Sequence, residues 1–179
     1  MSIQERIHDF FVEKGLDEKF NSERISRLRQ VVADFFPYSK ENSYVKRLLL
    51  KGIGYFGEGT VVKPGFRFSR GYNIYLGNKV FINFECFFQD SEKIVIDDFT
   101  LIGPNVKIYT SEHDLKSKER TTNPVYVGKG SWIGGGVIIL PGVIIGRNSV
   151  IGAGSLVNGD IDENSVYAGV PARKIKEIK

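Results

Sequence analysis

A six-residue repeat near the C-terminus constrains the fold of this chain more than any other feature of its sequence. Between residues 127 and 159 every sixth residue is aliphatic: Val127, Ile133, Ile139, Ile145, Ile151 and Val157. An α-helix would distribute these residues around its circumference, and a flat sheet would need turns at less regular places. The period predicts a solenoid, in which three units of one short strand and one turn close a triangular coil of roughly 18 residues.

The repeat also predicts which side chains form the core. The aliphatic residue points inward at every face, and glycine follows four of the six because the chain must turn tightly there. Small residues recur two places before an aliphatic one, where a second inward position has limited room: Ser131, Val137, Val143, Ser149 and Ser155.

Earlier in the chain the inward position continues less regularly. It recurs in three groups: Phe56, Val62 and Phe68; Leu76, Ile82 and Phe88; Ile96, Ile102 and Ile108. Each step of eight between groups predicts a two-residue insertion at a solvent-facing corner, around Ile74 and Ile94. Three coils therefore precede the regular run and about two more follow, with an irregular first coil in the manner of a capping turn.

The period lapses between Ile108 and Val127. The intervening segment is polar and charged, contains one proline and lacks the aliphatic spacing. It predicts a loop over about 111–126 that leaves the solenoid. Because a long excursion from a strict repeat is uncommon unless it serves a site, this loop is a candidate functional element.

The first 55 residues predict helices. Four apolar residues fall at helical spacing before Gly15: Ile3, Ile7, Phe10 and Phe11. They predict a short amphipathic helix that ends near Lys14 and keeps His8 on its surface. Two further helices are predicted over 21–37 and 44–50. The apolar faces of these helices require a partner, either the solenoid or a neighbouring subunit.

Composition narrows the class of ligand. A chain of 179 residues suits one main domain, here a solenoid over 56–179 with a C-terminal tail, after a helical segment over 1–55. The net charge is +4, and a basic cluster lies at the C-terminus: Arg173, Lys174 and Lys176. No aromatic residues alternate with these basic residues, as they would in a protein that binds single-stranded nucleic acid. This favours a phosphorylated ligand over nucleic acid, and a solvated basic tail is the alternative.

Cysteine usage and hydropathy bear on the compartment. Cys86 is the single cysteine, which excludes an internal disulfide and a cysteine-rich metal site. Acidic residues interrupt the N-terminus, and no run of ~18 apolar residues occurs. We therefore expect a cytoplasmic protein that does not insert into membranes.

The repeat carries a resemblance to a known family. The run WIGGGVIILPGVIIGRNSVIGAGSLV, followed by AGVPARKI, resembles the hexapeptide-repeat acyltransferases, and specifically the galactoside and maltose O-acetyltransferases. The resemblance implies a left-handed parallel β-helix, a handedness that the period alone does not predict. It also implies a homotrimer that transfers an acetyl group from acetyl-CoA, without a metal, to a hydroxyl of a sugar or glycan.

Two residues carry the catalytic roles that the resemblance implies. His113, at the root of the predicted loop, matches the general base that takes a proton from the acceptor hydroxyl, a role suited to a group that titrates near neutral pH. Asn83, one place after the inward Ile82, matches an asparagine that stabilises the charged intermediate through its amide N–H. The alternative for Asn83 is a turn residue with a backbone role.

The same comparison implies contacts with the acceptor at Ser69, Asp90, Ser91, Arg120 and Trp132. Strict alignment places Ser91, with Asp90 beside it, where the sugar-acetylating relatives have an aspartate. Arg120 falls at a further contact in the loop. These departures from the family leave the identity of the acceptor undecided. They are consistent with an anionic acceptor or with one of a different shape. The alternative for Trp132 is a surface residue packed under the loop.

Six residues match the acetyl-CoA contacts of the family: Gly135, Ala153, Asn158, Gly159, Arg173 and Lys176. Gly159 stands where the family often has a lysine. Arg173 and Lys176 supply positive charge for the 3′-phosphate, a role for which arginine geometry is well suited.

Three other functions are alternatives for a chain with this repeat. A carbonic-anhydrase-like metalloenzyme on the same coil would need three histidines, and His8 and His113 are the only two in the chain. A non-catalytic hexapeptide scaffold and an acetyltransferase for a non-sugar molecule such as serine stay as alternatives.

Overall fold

The structure is a computed structural model that describes residues 1–16 and 53–179. The helices predicted over 21–37 and 44–50 lie outside the described residues.

Three sheets form the faces of a solenoid, and each coil passes through them in the order A, B, C. Sheet A contains β1 (Tyr55–Phe56), β4 (Ile74–Leu76), β7 (Ile94–Ile96), β12 (Val125–Val127) and β15 (Ile144–Ile145). Sheet B contains β2 (Val61–Val62), β5 (Phe81–Ile82), β8 (Leu101–Ile102), β13 (Trp132–Ile133), β16 (Val150–Ile151), β18 (Ser165–Ala168) and an antiparallel last strand, β19 (Arg173–Glu177). Sheet C contains β3 (Arg67–Phe68), β6 (Phe87–Gln89), β9 (Lys107–Tyr109), β14 (Ile138–Ile139) and β17 (Leu156–Val157). A separate antiparallel hairpin joins β10 (Ser111–His113) to β11 (Arg120–Thr122).

The strand registers confirm the predicted period. Ile133 pairs with Ile151, eighteen positions further along the chain, so one regular coil consists of three six-residue units. Phe68 pairs with Phe88, which shows that the earlier coils are two residues longer, as the steps of eight predict. The turns between strands stack into three edges, which we name the A–B, B–C and C–A edges after the sheets that they join.

The predicted inward residues form one continuous core. Side chains such as Ile82, Ile96 and Ile133 are fully buried, and the small residues at the second inward position are buried with them. Where that small residue is serine, a backbone carbonyl in a turn accepts a hydrogen bond from its hydroxyl. Ser131 Oγ donates to Gly146 O at 2.9 Å, and Ser155 Oγ donates to Gly152 O at 2.6 Å. A buried hydroxyl is tolerated there because it keeps a hydrogen-bond partner.

The corners that hold the two-residue insertions differ from the prediction. Ile74 and Ile94 are not at solvent-facing corners; both are fully buried, and they pair with each other in sheet A. The inserted residues precede them, at 69–73 and 90–93, where the buried carboxylate of Asp90 binds the backbone of the corner below. The hydrogen bonds to the Asp90 carboxylate stabilise the longer corner, in which Ser69 and Arg70 are exposed.

Helix α1 spans Ile3–Lys14, as predicted. It begins with a capping box between Ser2 and Glu5, and it ends at Gly15, whose φ of 62° is the left-handed conformation that glycine adopts readily. Its apolar face packs on the outer side of sheet A, in one buried cluster: Ile7, Phe10, Phe11, Tyr75, Val95 and Tyr126. His8 is exposed, as predicted.

An ion pair fastens the end of α1 to the solenoid. Lys14 Nζ lies 2.9 Å from Asp98 Oδ2, and both side chains are more than nine-tenths buried. Asp98 Oδ1 accepts a further hydrogen bond from Asn78 N at 2.7 Å. Within residues 1–16 and 53–179, no helix is long and apolar enough to cross a membrane.

Candidate active site

The predicted loop is a β-hairpin that leaves the C–A edge. Its strands pair Ser111 with Thr122 and His113 with Arg120. The predicted end of the loop at 126 is wrong, because Val125 pairs with Ile94 as the first residue of β12 and is fully buried. Strand β12 begins two residues before Val127, which is the first inward residue of the regular run. The coil therefore resumes before the six-residue period can be recognised in the sequence.

The hairpin presents His113 and Arg120 on one face. Residues paired across a hairpin lie on the same side, and alternate residues of a strand share that side. Ser111 and Thr122 therefore face the same way as His113 and Arg120, whereas Glu112 faces the other way. The His113 side chain is exposed, where an acceptor can reach it.

A hydrogen-bond network connects this face of the hairpin to the C–A edge. Arg120 Nη2 donates to Ser91 Oγ and, at 3.2 Å, to Ser111 Oγ. Ser111 Oγ donates in turn to Gln89 Oε1 at 3.0 Å. The structure thus brings two predicted acceptor contacts, Ser91 and Arg120, together with the predicted base.

Ser111 and Gln89 belong to this network, although neither was predicted as a site residue from the sequence. The signal for Ser111 was its place two residues before His113, which puts both on one side of an extended strand. Gln89 carried no comparable signal, because its role depends on the position of the hairpin above it.

Asp90 does not fit its predicted contact with the acceptor. Its side chain is fully buried, and its carboxylate accepts hydrogen bonds from the backbone N–H groups of Ser69 at 3.1 Å, Arg70 at 2.7 Å and Gly71 at 2.6 Å. Burial raises the pKa of this carboxyl to about 6, against the lowering effect of those N–H groups. Asp90 instead holds the corner that carries the exposed Ser69.

Asn83 lies on a different edge from His113. It follows β5 of sheet B and so occupies the B–C edge, whereas the hairpin rises from the C–A edge. The Asn83 side chain is half-buried, and its Oδ1 accepts a hydrogen bond from Phe84 N at 2.9 Å. This contact leaves the amide nitrogen as the donor end of the group. A single chain therefore does not bring the two predicted catalytic residues together.

Two of the predicted cofactor residues share the B–C edge with Asn83. Gly135 and Ala153 lie in consecutive coils there, and Gly154 N donates to Gly135 O at 2.9 Å. The coils approach closely along this edge: a β-carbon at Gly103 would lie 2.6 Å from Gly135 N. The result is a narrow edge of backbone and small residues.

The other predicted cofactor residues lie at the end of the solenoid. Asn158, Gly159 and Arg173 line one cavity of about 310 Å³ beside Tyr167 and Asp160. Lys176 is in β19 with an exposed side chain. The basic groups of the tail thus stand next to the last coil.

Trp132 lies on the outer face of sheet B and is 55% exposed. Its neighbours in the sheet are Leu101, itself 48% exposed, and Val150. Sheet B is opposite the C–A edge, so within one chain Trp132 does not pack under the loop, which was the alternative to its predicted contact with the acceptor. An apolar column remains open along this face.

Neither a metal centre nor a reactive thiol is formed by the described residues. Within residues 1–16 and 53–179, no three His, Cys, Asp or Glu side chains are grouped to hold a metal ion. Cys86 is buried, its Sγ donates to Gly103 O at 3.2 Å, and burial raises the pKa of the thiol to about 11. A thiol held neutral in this way is a poor nucleophile.

Known proteins share this repeat and much of the chain. Residues 124–159 match the family described as bacterial transferase hexapeptide (six repeats). Nodulation protein L of Rhizobium meliloti is 45% identical over 130 residues, which cover 70% of this chain and 71% of the relative. The galactoside O-acetyltransferase of Escherichia coli is 41% identical over 150 residues, which cover 80% of this chain and 74% of the relative.

A solved structure extends the match to nearly the whole chain. The hexapeptide-repeat-containing acetyltransferase of Vibrio cholerae, in complex with acetyl coenzyme A, has a TM-score of 0.82 at 30% identity, covering 92% of this chain and 93% of that chain. The resemblance indicated by the repeat is therefore confirmed by sequence and by structure. The chain belongs to the hexapeptide-repeat acetyltransferases, as an acetyl-CoA-dependent O-acetyltransferase of the galactoside O-acetyltransferase type.

Proposed function

We propose that this enzyme transfers the acetyl group of acetyl-CoA to a hydroxyl of a sugar or glycan, with His113 as the general base. The observation that carries the proposal is the face of the hairpin, where an exposed histidine stands among hydroxyl and guanidinium groups. Such groups bind a polyhydroxylated acceptor through hydrogen bonds. The E. coli relative, named for galactosides, supports an acceptor of the sugar class.

The proposed reaction uses two groups of this chain. The imidazole of His113 takes the proton of the acceptor hydroxyl while its oxygen attacks the thioester carbonyl carbon. The amide nitrogen of Asn83 donates a hydrogen bond to the oxyanion that forms. The intermediate then collapses, the carbon–sulfur bond breaks, and the imidazolium returns its proton to the coenzyme A thiolate. The products are an acetyl ester and free coenzyme A.

The proposed site requires a second subunit, and we propose that the assembly is a homotrimer. His113 and the acceptor contacts stand on the C–A edge, whereas Asn83, Gly135 and Ala153 stand on the B–C edge. A cyclic trimer places the C–A edge of one subunit against the B–C edge of the next, which completes one site at each of three interfaces. The exposed apolar column that contains Leu101 and Trp132 supports contact between subunits.

Acetyl transfer itself is the first test. The purified enzyme is incubated with acetyl-CoA and a panel of neutral sugars, acidic sugars and serine, and coenzyme A release and the acetylated product are both measured. We expect thiol release that depends on a sugar and matches the product in amount. Equal thiol release with serine, or release without any product, would contradict the sugar assignment.

We also propose a cytoplasmic location, where acetyl-CoA is available as the co-substrate.

A further inference from the structure

Arg120 is a cation beside the proposed base. It pairs directly with His113 across the hairpin, so their β-carbons are ~5 Å apart on one face. A group that binds Arg120 is therefore held next to the hydroxyl that His113 deprotonates. The identity of that group bears on the class of acceptor.

The contacts of Arg120 orient its guanidinium without neutralising it. The hydrogen-bond partners of Nη2, Ser91 Oγ and Ser111 Oγ, are both uncharged hydroxyls. Among the described residues, the ion pairs involve Lys14, Arg147 and Lys174, and none involves Arg120. Both bidentate N–H pairs of a guanidinium, Nε with Nη2 and Nη1 with Nη2, include Nη2. Nε and Nη1 can therefore each donate separately to an oxygen of an anion, while Nη2 contacts the two serines.

Four nearby carboxylates have other partners or lie on another face. Glu92, beside Ser91, accepts a hydrogen bond on its Oε1 from Lys93 N at 3.0 Å. Asp90 is fully buried and bound to backbone amides, and Glu112 lies on the opposite face of the hairpin. Asp114 accepts hydrogen bonds from Lys116 N at 2.9 Å and Ser117 N at 2.7 Å, at the tip of the hairpin.

A second guanidinium, that of Arg70, is exposed on the same C–A edge, and its Nη1 donates to Tyr72 Oη at 3.0 Å. Arg70 and Arg120 thus place two guanidinium groups on this edge, beside Ser69 and Ser91. A neutral sugar would leave the positive charge of Arg120 without a charged partner.

We infer that the acceptor is an acidic sugar, whose carboxylate or phosphate binds the guanidinium of Arg120 beside His113. Arg120 is then a specificity-determining residue, and Ser91 and Ser111 hold its guanidinium in place. This inference rests on the proposed acetyl transfer, and it narrows the acceptor from sugars in general to sugars that carry an acidic group.

The test compares acceptors that differ only in charge. Transfer is measured to 4-nitrophenyl β-glucuronide and its methyl ester, and to glucose 6-phosphate and its dimethyl ester, so that both members of each pair offer the same hydroxyls. We expect the wild type to have the higher kcat/KM for the acidic member of at least one pair. Arg120→Gln should lower this preference by roughly 10–100-fold, the range expected for a charged hydrogen-bonded contact, while the KM for acetyl-CoA stays unchanged.

Two control variants separate charge from geometry. Arg120→Lys keeps the charge but loses the planar guanidinium that Ser91 and Ser111 orient, so it should retain only part of the preference. Lys116→Gln removes a positive charge from the exposed tip of the same hairpin and should leave the preference unchanged. A wild type that prefers the neutral member of both pairs, or an Arg120→Gln enzyme that loses both activities equally, would overturn the inference.

A failure of the proposed function is distinguishable from a failure of this inference. If the wild type binds acetyl-CoA but acetylates none of these sugars, the dissociation constants of the glucuronide and of glucose 6-phosphate are measured by calorimetry. A weakening of about tenfold or more in Arg120→Gln would still support recognition of the acid. Equal dissociation constants in the two proteins would refute it.

Discussion

His113 and Asp90 belong to the same edge of the solenoid, yet their surroundings differ completely. His113 is exposed on the hairpin, whereas Asp90 is fully buried with its carboxylate bound to three backbone amides. An exposed group can exchange protons with a substrate, and a buried one mainly determines local structure. Substitutions at the two residues should therefore affect different measurements.

Replacing the proposed base should reduce turnover without harming the fold. We expect His113→Ala to lower kcat by roughly 10²–10⁴-fold and to leave the dissociation constant for acetyl-CoA nearly unchanged. Steady-state kinetics and calorimetry measure the two quantities. His8→Ala, which removes the exposed histidine of α1, is the matched control and should keep the wild-type kcat. Wild-type turnover in His113→Ala would leave the base unassigned.

Asp90 should make stability depend on pH between about 4 and 6. Its pKa in the folded protein is about 6, above the ordinary aspartate value of 3.8, so the folded state binds the proton more tightly than the unfolded state. The contribution of Asp90 to the free energy of unfolding is therefore greatest below this window and falls as pH rises through it, by on the order of 3 kcal/mol.

The variant Asp90→Asn isolates this effect from other titrating groups. The free energy of unfolding of the wild type minus that of the variant should increase when pH is lowered from 7 to 4. Urea denaturation at several pH values measures it. A difference that does not change with pH would show that the Asp90 carboxyl keeps its ordinary pKa.

The basic residues of the tail should affect the nucleotide end of acetyl-CoA. We expect the double variant Arg173→Ala/Lys176→Ala to raise the KM for acetyl-CoA far more than the KM for the acceptor, because phosphate binding is uniform between ground and transition states. It should also lose the preference for acetyl-CoA over its 3′-dephosphorylated form. Lys179→Ala, which removes a charge from the same tail, is the control. Equal effects on both substrates would count against the assignment.

At the scale of elements, α1 is attached to sheet A by apolar contacts and by one ion pair. Lys14→Met removes one partner of the buried pair and leaves the Asp98 carboxylate uncompensated, so the free energy of unfolding should fall by about 3 kcal/mol. Adding Asp98→Asn to this variant should recover part of the loss. Glu13→Gln removes the partner of Lys14 that is 61% exposed, and it should cost less than about 1 kcal/mol. Equal losses in Lys14→Met and Glu13→Gln would contradict the importance of the buried pair.

At the scale of the whole molecule, the separation of His113 and Asn83 on two edges makes the proposed trimer testable by subunit mixing. His113→Ala and Asn83→Ala are each expected to be impaired alone. After the two are unfolded and refolded together, random assembly should pair an intact C–A edge with an intact B–C edge at about one quarter of the interfaces. Activity should therefore reappear in the mixture.

The mass of the assembly gives an independent measurement. A trimer is expected at micromolar concentration, by light scattering or native mass spectrometry. No recovery of activity on mixing, together with a monomeric mass, would contradict a site shared between subunits.

The sequence by itself determined the repeating part of this protein. The six-residue period predicted the inward residues from Phe68 to Val157, the longer early coils, helix α1 and the departure of the chain after Ile108. These features depend on local rules, because each unit repeats one strand and one turn with the same inward side chain. The resemblance carried by that repeat added the family and the candidate residues.

Only the tertiary structure decided how those candidates are arranged. It placed Asp90 inside a corner, joined Arg120 to Ser91 and Ser111, and separated Asn83 from His113 on two edges. Contacts of this kind connect residues of different coils, and a repeat within the chain does not specify them. The physical reason is that burial and edge position depend on how coils stack, whereas the period describes only how each coil turns.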